Sequence, residues 1–163
     1  MNTMDILSNL PDHSRVWIYT SDREFTKEEQ SKIQETGNAF TQAWKVHGTA
    51  MEAGFAIMYN RFLILSVNEK VAGASGCSID SSVGFMKNIE TEFKVSVLDK
   101  LLLAYHSENN KIEVLPMFEF QKEMDNGGIH SQTMVFNNLV ETLGDLRNSW
   151  EVTLENSWHK QLL

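Results

Sequence analysis

The alternation of apolar and polar positions divides this chain into short elements of two kinds. Val16-Trp17-Ile18-Tyr19 is a run of strand-favouring residues, closed by the turn formers Ser21-Asp22-Arg23. The period then changes. Thr26-Lys27-Glu28-Glu29 has the spacing of a capping box, and Ile33, Gly37, Phe40 and Trp44 fall on one face of the helix that follows. His47-Gly48 reads as its stop. Gly54 to Tyr59 and Arg61 to Val67 form two strands joined so closely at Tyr59-Asn60 that they must turn back as a hairpin. Phe62 and Ile64 point one way and Leu63, Leu65 and Val67 the other. Both faces of that strand are therefore expected to be covered.

Beyond the small-residue turn Ser75-Gly76-Cys77-Ser78-Ile79-Asp80-Ser81-Ser82, a second helix face appears in Val83, Met86, Ile89 and Phe93. Leu101 to Tyr105 reads as a buried strand, and Ile112 to Leu115 as its return after the polar loop Ser107–Asn110, ended by Pro116. Phe118 to Met124 suits a short helix closed by Asn126-Gly127-Gly128. Val135, Leu139, Val140 and Leu143 have helical spacing from Ser131 or Thr133 onward. At the C-terminus Trp150, Val152 and Leu154 fit a strand, whereas Trp150, Leu154, Trp158 and Leu162 fit a helix stripe equally well.

The order β-α-β-β-α-β matches the ferredoxin-like plan, an α+β sandwich with both helices on one face of an antiparallel sheet. An extra strand and a tryptophan-rich C-terminal extension follow it. Residues 1–14 read as a polar leader that packs loosely, and residues 15–163 as a single domain. The second sheet face is expected to be covered by the chain's own extension, with a homodimer as the alternative to a monomer.

Composition narrows the function more than the fold. Across 163 residues the net charge is −8, and no Lys/Arg cluster offsets it, which argues against a nucleic-acid partner. The N-terminus lacks the basic and apolar regions of a secretory signal. No apolar run approaches the ~20 residues of a membrane span, so the expected residence is soluble and cytoplasmic. One cysteine excludes an internal disulfide framework.

Chemistry is thinly signalled. With Ser78 taken as N-cap, Asp80 falls in the first helical turn and Cys77 just outside it, where the helix dipole lowers a thiol pKa. Cys77 is thus a candidate nucleophile, with His106, His47 or His159 as base. Ser78, Asp80 and Ser81 are candidate ligand-binding residues in the same turn. The turn is not a P-loop, because Gly73 to Ser78 has neither the glycine spacing nor the lysine of G-x-x-x-x-G-K-[ST]. The histidines have no metal-site spacing among themselves or with Cys77, so no metal is expected. No cofactor is indicated.

Several blocks together are more specific than any one. Val16-Trp17-Ile18-Tyr19-x-Ser21-Asp22-Arg23-x-Phe25-Thr26, Tyr59-Asn60-Arg61-Phe62, Ser75 to Ser82, Val135-Phe136-Asn137-Asn138-Leu139-Val140 and Asn156-Ser157-Trp158-His159 resemble a family of bacterial proteins of about this length. Members often carry the label "ABC transporter ATPase". This chain has no Walker A lysine and no LSGGQ signature, and it is too short for such an ATPase domain. The resemblance implies grouping and cytoplasmic residence, not an activity. Its blocks embed Asn60, Arg61, Cys77, Asp80, Asn137, Asn138, Trp158 and His159, and a cluster of an arginine, amides and a thiol would suit a small anionic or carbonyl ligand.

Two functions follow as expectations. One is a binding or interaction module holding a small ligand near the Ser75–Ser82 turn, or docking through its tryptophan-rich C-terminus. The other is a thiol-dependent enzyme or redox responder using Cys77.

Overall fold

The computed structural model describes residues 7–163, so residues 1–6 of the expected leader lie outside the described residues. Two antiparallel sheets form the centre of an α+β fold, and helices cover their outer faces. The first sheet contains β1 (Arg15–Thr20), β4 (Ala53–Met58) and β5 (Phe62–Val67) in the order β1-β5-β4. The second contains β6 (Leu102–His106), β7 (Ile112–Pro116), β8 (Met134–Phe136) and β9 (Glu151–Thr153) in the order β7-β6-β8-β9. A two-stranded ribbon, β2 (Lys45–Val46) and β3 (Thr49–Ala50), lies between α1 and β4.

Local chemistry explains why these elements form where they do. Helix α1 (Lys27–Ala43) starts with the expected capping box: the Glu29 N–H donates to Thr26 Oγ1 at 3.1 Å, and the Thr26 N–H to Glu29 Oε1 at 2.9 Å. The β4–β5 hairpin turns at Tyr59 and Asn60, both at positive φ, which suits the primed two-residue turn. The expected stop at His47-Gly48 is instead the turn of the β2–β3 ribbon. Both residues have positive φ, and α1 ends earlier, at Ala43.

Alternation along β5 divides the interior. Leu63, Leu65 and Val67 pack with Ile33 of α1 and Phe85, Met86 and Ile89 of α2 (Gly76–Phe93). Phe62 and Ile64 turn to the other side and meet Ala104, Phe136 and Trp150, with Leu143 and Leu146 of α4 (Leu143–Ser149). Leu103, Tyr105 and Val135 form the outer face of the second sheet, under Phe120 of α3 (Met117–Asp125) and the 3-10 turns Leu154–Asn156 and Trp158–Leu162. The order of layers is helices, sheet, sheet, helix.

The second face of the first sheet is covered by a second sheet built from β6 to β9, and not by the C-terminal extension alone. The four-stranded sheet of the ferredoxin-like plan is not closed, because β6 comes within 8 Å of β1, Cα to Cα, yet pairs with β7 and β8. Two further expectations change. The segment read as a helix from Ser131 contains β8 and a turn, and its helix, α4, begins only at Leu143. Trp150 is buried between the sheets and not available for docking. Residues 7–14 pack against the body: Leu10 is buried, and His13 Nε2 lies 2.9 Å from Asn68 Oδ1. No helix among the described residues is long and apolar enough to cross a membrane.

Candidate functional site

The Ser75–Ser82 turn uses its polar groups on itself. Ser75, not Ser78, is the N-cap of α2; Ser78 is the third helical residue and completes a reciprocal capping box. Its Oγ accepts from the Ser75 N–H at 2.7 Å, and its carbonyl accepts the Trp44 indole N–H at 2.9 Å. Asp80 is consequently exposed on the second turn, away from the dipole end. Ser81 donates to the Cys77 carbonyl at 3.1 Å. Cys77 is exposed, and among the described residues its sulfur has no hydrogen-bond partner.

Two of the histidines expected as bases, His106 and His159, are engaged elsewhere, and His47 sits exposed at the β2–β3 turn. His106 Nε2 lies 2.9 Å from Glu151 Oε1, and its ring stacks on Phe136 with centroids 5.1 Å apart. Tyr59 donates its hydroxyl to the other Glu151 oxygen at 2.6 Å, and burial together with that carboxylate raises its pKa. This Tyr59–Glu151–His106 chain ties the first sheet's hairpin turn to β9 and β6. Tyr59 and Glu151 carry no sequence signal of their partnership, since 92 residues separate them.

Arg61 is buried beside this tie and donates to the Ile112 carbonyl at 3.3 Å. Burial lowers its pKa, and the charges of Glu24, Glu113 and Asp22 partly restore it. His159 is fully buried, bonded through Nδ1 to Ser157 at 2.7 Å, and desolvation lowers its pKa to about 4. Asn60 serves the hairpin turn, its carbonyl accepting from the Phe25 N–H at 2.7 Å. Among the described residues, no group of three or more His, Cys, Asp or Glu side chains is placed to hold a metal.

What the structure opens instead is a cavity of about 340 Å³ at the outer edge of β1. Residues Val16 to Thr20 form one wall, and Leu102 to Ala104 of β6, with the preceding segment Val97 to Lys100, form the opposite one. Ile79 and Val83 of α2, together with Phe136, Asn138, Leu139 and Trp158, close the remainder. The Ser75–Ser82 turn thus contributes to the site through Ile79, not through its thiol or hydroxyls.

The hydrogen-bond register shows why the space exists. The Ser21 N–H donates to the Arg61 carbonyl at 2.9 Å, and the Val16 N–H to the Glu141 carbonyl at 3.0 Å. Odd positions of β1 therefore pair with β5, and even positions turn their main-chain groups outward. Residues 141–143 meet the start of this edge, through the Arg15–Thr142 bridge. Beyond it the chain leaves the strand, because Asn137 folds a tight turn: Leu139 N–H donates to its Oδ1 at 3.1 Å and Val140 N–H to its carbonyl at 3.3 Å. Asn138 fixes the far end, donating to Thr20 Oγ1 and accepting from the Trp150 indole, each at 2.9 Å. Among the described residues, the main-chain N–H and C=O of Ile18 and Thr20 have no hydrogen-bond partner.

β6 presents a matching gap. Met117 donates to the Leu101 carbonyl and Ser107 to the Lys111 carbonyl, both at 2.8 Å, so odd positions pair with β7. On the other side β8 joins only at Tyr105–Val135, which leaves the Ala104 N–H and the Leu102 carbonyl unmet. No residue of β5 or β7 borders the cavity, so it lies on the unpaired side of both strands. The lining is mainly apolar, and its two charges, Asp99 and Lys100, oppose each other.

No protein-family model, curated protein or solved structure matches this chain.

Proposed function

We propose that the protein is a small-ligand binding module whose site is the cavity between β1 and β6. The observation that carries this reading is an apolar space with unpaired main-chain donors and acceptors along two of its walls. Burying such groups unmet costs roughly 1–3 kcal/mol each, and a ligand that meets them recovers that cost. At about 340 Å³ the space is at the small end of ligand pockets. The ligand is a compact, largely apolar molecule carrying amide-like polar atoms. An anion gains little here, because Asp99 stands beside Lys100 in the lining. The resemblance to the bacterial family groups the chain without adding an activity, and the ferredoxin-like plan is read here as opened between β1 and β6.

The thiol-dependent alternative has less support, since no base among the described residues is bonded to Cys77. Ligand-observed NMR with a fragment library tests the cavity reading. Apolar amide-bearing fragments are expected to bind the wild-type protein and to lose binding in Leu139→Arg, at a mouth position that is 66% exposed. Filling the interior with Ala104→Trp is the second variant. Fragment binding unchanged by both overturns the proposal.

A further inference from the structure

The unmet groups of β1 have a repeat, and a repeat selects a ligand class. Ile18 and Thr20 are two residues apart on one strand edge, so their outward N–H and C=O groups recur every ~6.6 Å. Extended polypeptide presents complementary groups at that interval, as strand addition to a sheet edge requires. We propose that the cavity takes a short extended apolar peptide segment, added as a strand to β1 through Ile18 and Thr20. This rests on the reading of the cavity as the binding site and names its ligand.

The edge is already used in this way by the chain itself. Residues 141–143 run antiparallel to the start of β1, joined by Val16 N–H to Glu141 C=O and Leu143 N–H to Ser14 C=O, at 3.0 and 2.7 Å. The peptide continues that ladder past the point where the Asn137 turn takes the chain away. The volume of the space seats about two of its residues, and the third lies at the mouth. β1 is the edge it pairs with. β6 comes within 8 Å of β1 at its nearest, so the peptide can pair only where the two strands stand further apart, along the cavity. The walls on either side of the added strand are Ile79 and Val83, and Phe136 and Trp158, which favour apolar peptide side chains.

The test uses the full-length protein and a panel of acetyl- and amide-capped tripeptides of Val, Ile, Leu and Phe, with the apolar dye anilinonaphthalene sulfonate as a second probe. Binding is read by calorimetry and by amide hydrogen exchange. At least one peptide is expected to bind and to slow exchange of the Ile18 and Thr20 amides at least tenfold. Methylating its central amide nitrogen should weaken it at least tenfold. Equal binding of the methylated analogue overturns strand pairing. A panel that fails while the dye binds and Ala104→Trp or Leu139→Arg abolishes the dye signal overturns the peptide proposal alone. Failure of both probes overturns the cavity reading as well. Ile18 and Thr20 amides already protected in the free protein mean that the edge is closed, and that too overturns the proposal.

Discussion

The first sheet meets its two neighbours differently. On the helix side contact is complete: a Cβ built on Gly37 of α1 would lie 2.2 Å from the ring of Phe55 on β4, so the backbone of α1 approaches the sheet as closely as a glycine allows. Aromatic rings fill the rest of that interface, with Phe40 stacked on Phe85 at 4.7 Å. On the sheet side, packing is equally close at Phe62, Phe136 and Trp150, whose ring centroids lie 4.7 to 4.9 Å apart. It opens along the outer edge of β1. The lesson is that the cavity is not general looseness. It is an unpaired strand edge beside closely packed aromatic rings.

The largest effect should come from removing the post that holds the sheets together beside the opening. Trp150→Ala loses a fully buried indole and its bond to Asn138, and is expected to cost about 3–5 kcal/mol in denaturant unfolding. A loss under 1 kcal/mol would mean that the wall of the cavity is not anchored there.

Acid should act next, from the C-terminal wall. His159 is buried and neutral, with its folded pKa lowered to about 4 from 6.5. Between those values the unfolded chain binds a proton that the folded one does not. Stability from this group is therefore complete above pH 6.5 and falls by about 3 kcal/mol as the pH approaches 4. His159→Phe should flatten this slope in urea melts across the range; an unchanged slope would assign it to other groups. Glu29, held at about 2 by Arg23, loses its contribution only at lower pH.

The remaining pair sets the two interfaces against each other by adding atoms to each. Gly37→Ala improves helix propensity but drives a methyl into Phe55, and is expected to destabilise by about 1–3 kcal/mol. Ala104→Val adds methyls where the cavity has room, and should change stability by less than about 1 kcal/mol. Equal losses in thermal melts of the two variants would erase the contrast.

How much of this was readable in the sequence depended on whether the signal was local. The α1 capping box and the Tyr59-Asn60 turn are short-range hydrogen-bonding and φ preferences, and both appear where expected. The cap of α2 lies three residues before Ser78 because Ser75 and Ser78 are both suitable caps, and only the folded helix shows which one leads. The β2–β3 ribbon is too short to have a period. Val135, Leu139, Val140 and Leu143 share helical spacing by coincidence: Val135 lies buried in β8, whereas Leu139 is exposed at the cavity mouth. Asn137 and Asn138 were visible as unusual polar residues, but their effect was not. The opening they create depends on β1 and β6 failing to pair across more than 80 residues of chain.

An unpaired strand edge ordinarily recruits further copies of the protein and seeds aggregation. Here the unmet groups of Ile18 and Thr20 face an interior roofed by Leu139, Trp158 and the segment leading into β6. A folded neighbour cannot bring its own sheet edge to them. If the cavity takes a peptide as proposed, the roof would act as a size filter, shielding this part of β1 from other folded molecules while admitting something as narrow as a single chain.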